Sequence, residues 1–184
     1  MTSMRASCGT QDFYLGIDVG SVSTNLVVIS GAGEVYHKEY LRTKGRPIPA
    51  VQTGLARVHQ KFPDIKIKGV GTTGSGRRLA AAIAGGDVVK NEITAHAAAA
   101  THFHPDAQTV IEIGGQDSKI IILRGGVVTD FAMNTVCAAG TGSFLDQQAA
   151  RLGIPIAEFG QIALQAKNPV RIAGRCTVFA ESDM

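Results

Sequence analysis

The sequence has no tryptophan, and only 5% of its 184 residues are aromatic, while 22 are glycine. A chain so poor in rings and so rich in glycine reads as one of tight turns and close backbone approaches. No stretch approaches the 18 or more apolar residues of a membrane helix, which excludes a spanning segment of that kind. Residues 1–12 lack the apolar stretch of a signal peptide and read as a short disordered leader. Three cysteines, one of them (Cys8) in that leader, make a poor disulfide framework, so a reducing cytoplasm is the expected compartment. The net charge is only +3, and the basic residues are scattered rather than striped (Arg42, Lys44 and Arg46; Lys66 and Lys68; Arg77 and Arg78). That argues against a nucleic-acid surface. With 45% of its residues hydrophobic, the chain can bury a core as one large domain or two small ones.

Hydrophobic periodicity predicts the elements. Tyr14–Asp18, Thr24–Ile29 and Glu34–Leu41 read as three strands of an antiparallel meander with turns at 19–23 and 31–33. Pro47 or Pro49 opens a helix that carries Val51, Leu55, Val58 and Phe62 on one face, and Pro63 and Asp64 end it. A strand over 65–72 leads through Thr72-Thr-Gly-Ser-Gly76 into a helix over 77–84. Val88-Val89 follows, then an alanine-rich helix from Asn91 or Glu92 to Phe103. The opening pattern then recurs about 95 residues on, with strands at 109–113, 118–123 and 127–133 around turns at 114–117 and 124–126. Such a repeat points to a duplicated domain with a cleft between the halves. Helices are expected over 142–152 and 159–166, and a strand or loop over 170–179. The expected domains are 13–106 and 107–184. The second lacks counterparts of the first half's later elements, so a fragment of a longer polypeptide is expected.

Two turns have the chemistry of phosphate cradles. In Asp18-Val-Gly-Ser-Val-Ser-Thr24, Gly20 bends the chain without a Cβ, and backbone N–H groups with the Ser21, Ser23 and Thr24 hydroxyls can wrap phosphate oxygens. Asp18, at a strand end, is placed to hold hydrated Mg²⁺. Glu112-Ile-Gly-Gly-Gln-Asp117 repeats the design: an acid, the pair Gly114 and Gly115, then the polar Gln116 and Asp117. An ordinary hairpin explains either turn alone; the pair is more specific. There is no Gly-Lys-Ser/Thr element, so this is not a P-loop, and each turn leads into a strand, so neither is a Rossmann fingerprint. Cys137 and Cys176 each sit beside a small-residue turn. They are either small buried fillers or half of a four-thiolate iron–sulfur ligand set. Glu92 and His96 lie one helical turn apart. Glu92 is a charge suited to a helix N-terminus, and His96 reads as structural. His102 and His104 do not share a helix face and are dismissed as a metal site.

Both turns resemble the phosphate motifs of the sugar kinase, actin and Hsp70 superfamily. Four segments in this order resemble one branch: Leu15-Gly-Ile-Asp-Val-Gly-Ser21, Glu112-Ile-Gly-Gly-Gln-Asp117, Asn134-Thr-Val-Cys-Ala-Ala-Gly-Thr-Gly142 and Cys176-Thr-Val-Phe-Ala-Glu-Ser182. That branch holds the activators of 2-hydroxyacyl-CoA dehydratases and the ATPase subunits of benzoyl-CoA reductase. The resemblance runs from about Tyr14 to the last residue. It implies an α/β, actin-like (ribonuclease H-like) duplicated fold, with the first lobe complete and the second partial. It implies a homodimer bridging one [4Fe–4S] cluster through Cys137 and Cys176 of each chain. ATP and Mg²⁺ would be held by Asp18, Gly20, Ser21, Ser23, Thr24, Gly114 and Gly115, with Glu112, Gln116, Asp117 and Glu92 around the attacked phosphate. Hydrolysis would send one low-potential electron, received from reduced ferredoxin or flavodoxin, into a dehydratase or related reductase.

Two departures qualify the resemblance. Glu112 stands where many superfamily members have Asp, and the family's adenosine-binding Gly-Gly segment lies beyond residue 184. The run Tyr40–Ile48 is most similar to the long, multidomain relatives of the activators. The rival readings are a carbohydrate kinase of the same superfamily, which needs an Asp base and has no use for paired cluster cysteines, and a non-catalytic ATP-binding regulatory module.

Overall fold

The computed structural model describes residues 12–134, 141–174 and 176–184. Its chain divides into two compact units, the first running to Ala95 and the second from His96.

In the first unit, β1 (Phe13–Val19), β2 (Ser23–Ser30) and β3 (Val35–Arg42) form the expected antiparallel meander. After α1 (Pro47–Lys61), β4 (Ile67–Thr73) pairs parallel to β1. Beyond α2 (Arg77–Ala84), the short β5 (Val88–Val89) extends the sheet, in the order β3-β2-β1-β4-β5. Alternation sets the two faces. Phe13, Leu15, Ile17 and Val19 of β1, with Leu26 and Val28 of β2, are buried together with Val51 and Val58 of α1 and Ala80 of α2. Gly54 lets α1 lie this close, because a Cβ there would collide with the Leu26 side chain. The same alternation turns Asp18 away from this core.

The face of β3 that looks toward α1 carries a polar chain, with His37 level with the buried Val28 and Glu39 level with Leu26. Lys61 Nζ donates to His37 Nδ1 (3.1 Å), which leaves the Nε2–H to donate to Glu39 Oε1 (2.8 Å). Arg57 reaches the other Glu39 oxygen at 3.4 Å. The His37 hydrogen bond, aided by Arg57 and opposed by burial, holds the Glu39 carboxyl below the ordinary glutamate range. The folded chain therefore binds this proton less tightly than the unfolded chain does. The resulting stability is present above the ordinary glutamate range and is lost as pH falls through it and below. Glu39→Gln is expected to lower the melting temperature near neutrality and to leave it unchanged in strong acid, as measured by calorimetry at both pH values. An equal loss at both would mean that packing, and not charge, is what the substitution removes.

Helix α3 (Glu92–Phe103) runs across the division between the units, and in the second unit β6 (Thr109–Ile113), β7 (Ser118–Arg124) and β8 (Val127–Met133) form a second antiparallel meander. Asn91 caps α3 by accepting from the Thr94 N–H at 2.8 Å. Ile121 and Leu123 are fully buried on one face of this sheet. The other face bears Ile111 and, opposite it, Ile120, with Ile113 beyond; these are 71%, 40% and 57% exposed. Then come α4 (Gly142–Arg151), α5 (Ile156–Ala163) and α6 (Thr177–Asp183).

Two expectations are corrected. The helix expected over 159–166 starts three residues earlier, directly after Pro155, which suits a helix entry. The strand or loop expected over 170–179 gives way to a helix from Thr177, whose first turn closes with Ala180 N–H on the Cys176 carbonyl at 2.9 Å. The β-branched and aromatic run around Val178 and Phe179 suggested extension. Yet both are exposed, at 70% and 65%, and only Ala180 is buried, so the strand period has no face to pack.

Candidate functional site: two acid-ended glycine turns

The first turn joins β1 to β2. Gly20 N–H bonds the Ser23 carbonyl at 2.8 Å and closes it. Asp18 pairs with Asn25 of β2 on one side and Thr73 of β4 on the other, so a carboxylate, an amide and a hydroxyl form a row across three strands. Asn25 Nδ2 donates to Asp18 Oδ2 (3.2 Å) and to Ser23 Oγ (3.4 Å). The Thr73 hydroxyl is buried with no hydrogen-bond partner among the described residues, and so is that of Thr72. Buried hydroxyls without partners call for a water, ion or ligand. An oxygen-rich row of this kind suits a hard, partly hydrated cation such as Mg²⁺.

The turn Thr72–Gly76 belongs to this site. Gly76 N–H and Ser75 Oγ both donate to the Val19 carbonyl, at 2.8 and 3.3 Å. Gly74 has φ +89°, and a Cβ there would collide with Asp18 Oδ1 and the Val19 carbonyl. Ser21 is exposed and Ser23 half-buried at the turn's rim. Thr24 sits differently: it is fully buried, and its hydroxyl bonds that of Thr43 at 2.9 Å. Thr43 in turn donates to the Gly20 carbonyl at 3.1 Å. Thr24 therefore braces the turn from inside the sheet.

The second turn closes in the same way, with Gly114 N–H on the Asp117 carbonyl at 2.8 Å. A Cβ on Gly114 would lie 3.0 Å from Asp117 Oδ1 and 3.1 Å from Glu112 Oε1, so both carboxylates converge on the space that this glycine leaves. Gly115 follows, and Gln116 at the tip is exposed. Lys119, which the sequence reading missed, is 4% exposed and donates to Glu112 Oε2 (2.9 Å) and Asp117 Oδ1 (2.7 Å).

Described residues on either side of positions 135–140 bond to this second turn and to Ser118 just after it. On the near side, Ser118 N–H donates to Asn134 Oδ1 (2.9 Å), and Asn134 N–H donates to the Ser118 carbonyl (3.2 Å). On the far side, Gly142 N–H bonds the Gly114 carbonyl (2.8 Å) and Ser143 N–H bonds the Gly115 carbonyl (2.9 Å). The start of α4 thus spends two of its unpaired N–H groups on the glycine pair. Cys137 itself, like Cys8, lies outside the described residues. Cys176 is a free, half-buried thiol at the N-cap of α6. Arg151 at the end of α4 reaches the Glu181 carbonyl of α6 at 3.0 Å. Glu92 is half-buried at the first position of α3, and His96 lies one turn on. Among the described residues, no group of three or more His, Cys, Asp or Glu could hold a metal ion, and no helix is long and apolar enough to cross a membrane.

Residues 15–184 match the BadF/BadG/BcrA/BcrD ATPase family. The (R)-2-hydroxyglutaryl-CoA dehydratase activating ATPase of Acidaminococcus fermentans is 36% identical over 176 residues, a span covering 94% of this chain and 66% of that one. The 2-hydroxyisocaproyl-CoA dehydratase activator of Clostridioides difficile is 34% identical over 181 residues, covering 94% of this chain and 64% of the relative. The chain therefore spans a little under two thirds of the length of these relatives. A solved structure of the latter activator from Clostridium difficile, with bound ADPNP, superimposes with a TM-score of 0.82 at 33% identity, over 93% of this chain and 63% of that one. The α/β architecture is that of the actin-like activators, and the chain belongs to the BadF/BadG/BcrA/BcrD ATPase family.

Proposed function

We propose that this chain is the nucleotide-handling part of an ATP-dependent activator that drives one low-potential electron into a 2-hydroxyacyl-CoA dehydratase or a related reductase. The observation that carries the reading is the set of four hydrogen bonds of 2.8 to 3.2 Å by which Asn134 on one side, and Gly142 and Ser143 at the start of α4 on the other, join the second glycine turn and Ser118 beside it. The relatives are named for dehydratase activation, and one solved relative holds an ATP analogue.

Asp18 would hold Mg²⁺, which would supply charge compensation to the phosphates, and Gly20, Ser21 and Ser23 would wrap phosphate oxygens, with Thr24 as the internal brace. Gly114, Gly115 and Gln116 take the terminal phosphate. Glu112, Asp117 and Glu92 orient the attacking water. Its oxygen bonds to the terminal phosphorus as the bond to the bridging oxygen breaks, ADP leaves with that oxygen, and the water's proton passes to a carboxylate or to solvent. Positioning and charge compensation do most of this work.

Two thiols per chain, Cys137 and Cys176, cannot complete a four-thiolate set, so the reading requires a homodimer. The half-buried, unpaired Cys176 fits such a ligand. These thiols would hold a [4Fe–4S] cluster, which would supply one-electron chemistry, with reduced ferredoxin or flavodoxin as the donor in a reducing cytoplasm. Loss of the terminal phosphate releases Gly114 and Gly115, and their carbonyls pull on α4 and so on the cysteine segment. The reading takes 13–106 and 107–184 as two actin-like lobes.

Calorimetric titration with Mg²⁺ and ADPNP tests the nucleotide half. The chain is expected to bind one equivalent, and Asp18→Asn is expected to weaken binding by at least about tenfold in Mg²⁺ and by little without it. Binding that ignores both Mg²⁺ and this substitution would remove Asp18 from the site.

A further inference from the structure

The two turns are built on one plan, and the plan exposes a difference. In each, a side chain on the returning strand, seven positions after the strand-end acid, donates to that acid and also to the residue two positions before itself. In the first turn the donor is the neutral Asn25 amide, joining Asp18 and Ser23. In the second it is the Lys119 ammonium, joining Glu112 and Asp117. The second turn has thus gained a carboxylate and a cation together.

We propose that Lys119 is an internal cation that occupies the place a divalent metal would take between Glu112 and Asp117. It keeps metal out of the second turn and reserves that turn for phosphate. Lys119 is a positioning residue in this scheme, and it makes the two turns chemically unequal. Its side chain is 3% exposed, against 18% for Glu112 and 44% for Asp117. An ammonium this buried requires close anionic partners, and 2.9 and 2.7 Å are such contacts. Two converging carboxylates with open solvent on the Asp117 side are ordinary Mg²⁺ or Mn²⁺ ligands once the lysine is gone. With the lysine present, the turn carries one net negative charge instead of two, and a phosphate meets less repulsion. Metal is then left to the Asp18 row, where the equivalent donor carries no charge. The exclusion of metal stands on the turn's own geometry; its consequence for phosphate rests on the function proposed above.

The test counts bound Mn²⁺ by electron paramagnetic resonance, without nucleotide, in the wild-type chain, Lys119→Asn and Lys119→Arg. Lys119→Asn installs the amide that the first turn uses. It is expected to bind one more Mn²⁺ per chain than the wild type, and Lys119→Arg, which keeps the charge, no more than the wild type. A merely structural lysine would leave the count unchanged in a folded Lys119→Asn chain, and that result overturns the proposal, as does an extra ion in Lys119→Arg. If Lys119→Asn does not fold, Lys119→Gln, with a longer reach and no charge, carries the same expectation and the same refutation. ADPNP titrated separately decides the phosphate reading: a wild type that ignores ADPNP ends that reading, while the Mn²⁺ count still judges Lys119.

Discussion

Gly74→Ala is expected to destabilise the chain by roughly 3 kcal/mol or more and to abolish Mg²⁺-dependent ADPNP binding. Two costs add. The backbone at Gly74 has φ +89°, where a side chain is strained whatever the space around it. The added Cβ would also meet the Val19 carbonyl and Asp18 Oδ1, and neither can yield cheaply. The carbonyl already accepts from Gly76 N–H and Ser75 Oγ, and Asp18 is held by Asn25. Relief would require β1 and β4 to part at the end where they carry the site. Gly85→Ala is the control. Its φ is +69°, but nothing lies within 4 Å of its added Cβ, so it is expected to cost only about 1 kcal/mol. Urea unfolding of both variants isolates the collision as their difference. Equal costs would mean that the Thr72–Gly76 turn does not press on Asp18.

Cys176→Ala is expected to remove essentially all iron and acid-labile sulfide from protein prepared and reconstituted without oxygen. The wild type should carry about four of each per dimer. The size of the effect follows from stoichiometry: one substitution removes two of four ligands, because both protomers change. The fold should tolerate it. Cys176 is a half-buried N-cap that makes no side-chain capping bond, so unfolding free energy should change by less than about 1 kcal/mol. Cys137→Ala should give the same iron loss. Metal analysis beside light scattering reads both quantities. Wild-type iron in a dimeric Cys176→Ala protein would end the shared-cluster reading while leaving the nucleotide turns untouched.

Much of this architecture is legible in order and period. The alternation in 13–19 and 24–30 marks one buried face, and the structure buries Phe13, Leu15, Ile17 and Val19 on it. Helix α2 falls at 77–84 as expected, because glycines flank a short alanine-rich run and Gly85 can adopt the left-handed cap. Helix α6 was not legible. Val178 and Phe179 favour extension locally, and only the absence of a partnering face, a tertiary fact, lets the helix win. Lys119 was not legible either. A lysine beside a serine at the start of an apolar run reads as a solvated strand end, and its burial depends on the register that sets it opposite Glu112. Thr24 shows the converse: a hydroxyl in a phosphate-like motif that the register of β2 turns inward to Thr43.

The residues alone determine the duplicated meander, the two acid-ended glycine turns and the spacing of the cysteines, because strand period, glycine freedom and thiol chemistry are local properties. The tertiary structure alone decides which donors answer the acids, that the Thr72–Gly76 turn shuts against Asp18, and that the second glycine pair grips the start of α4. Those outcomes depend on strand register and on backbone groups brought together from distant parts of the chain, and neither is written in any local run of residues.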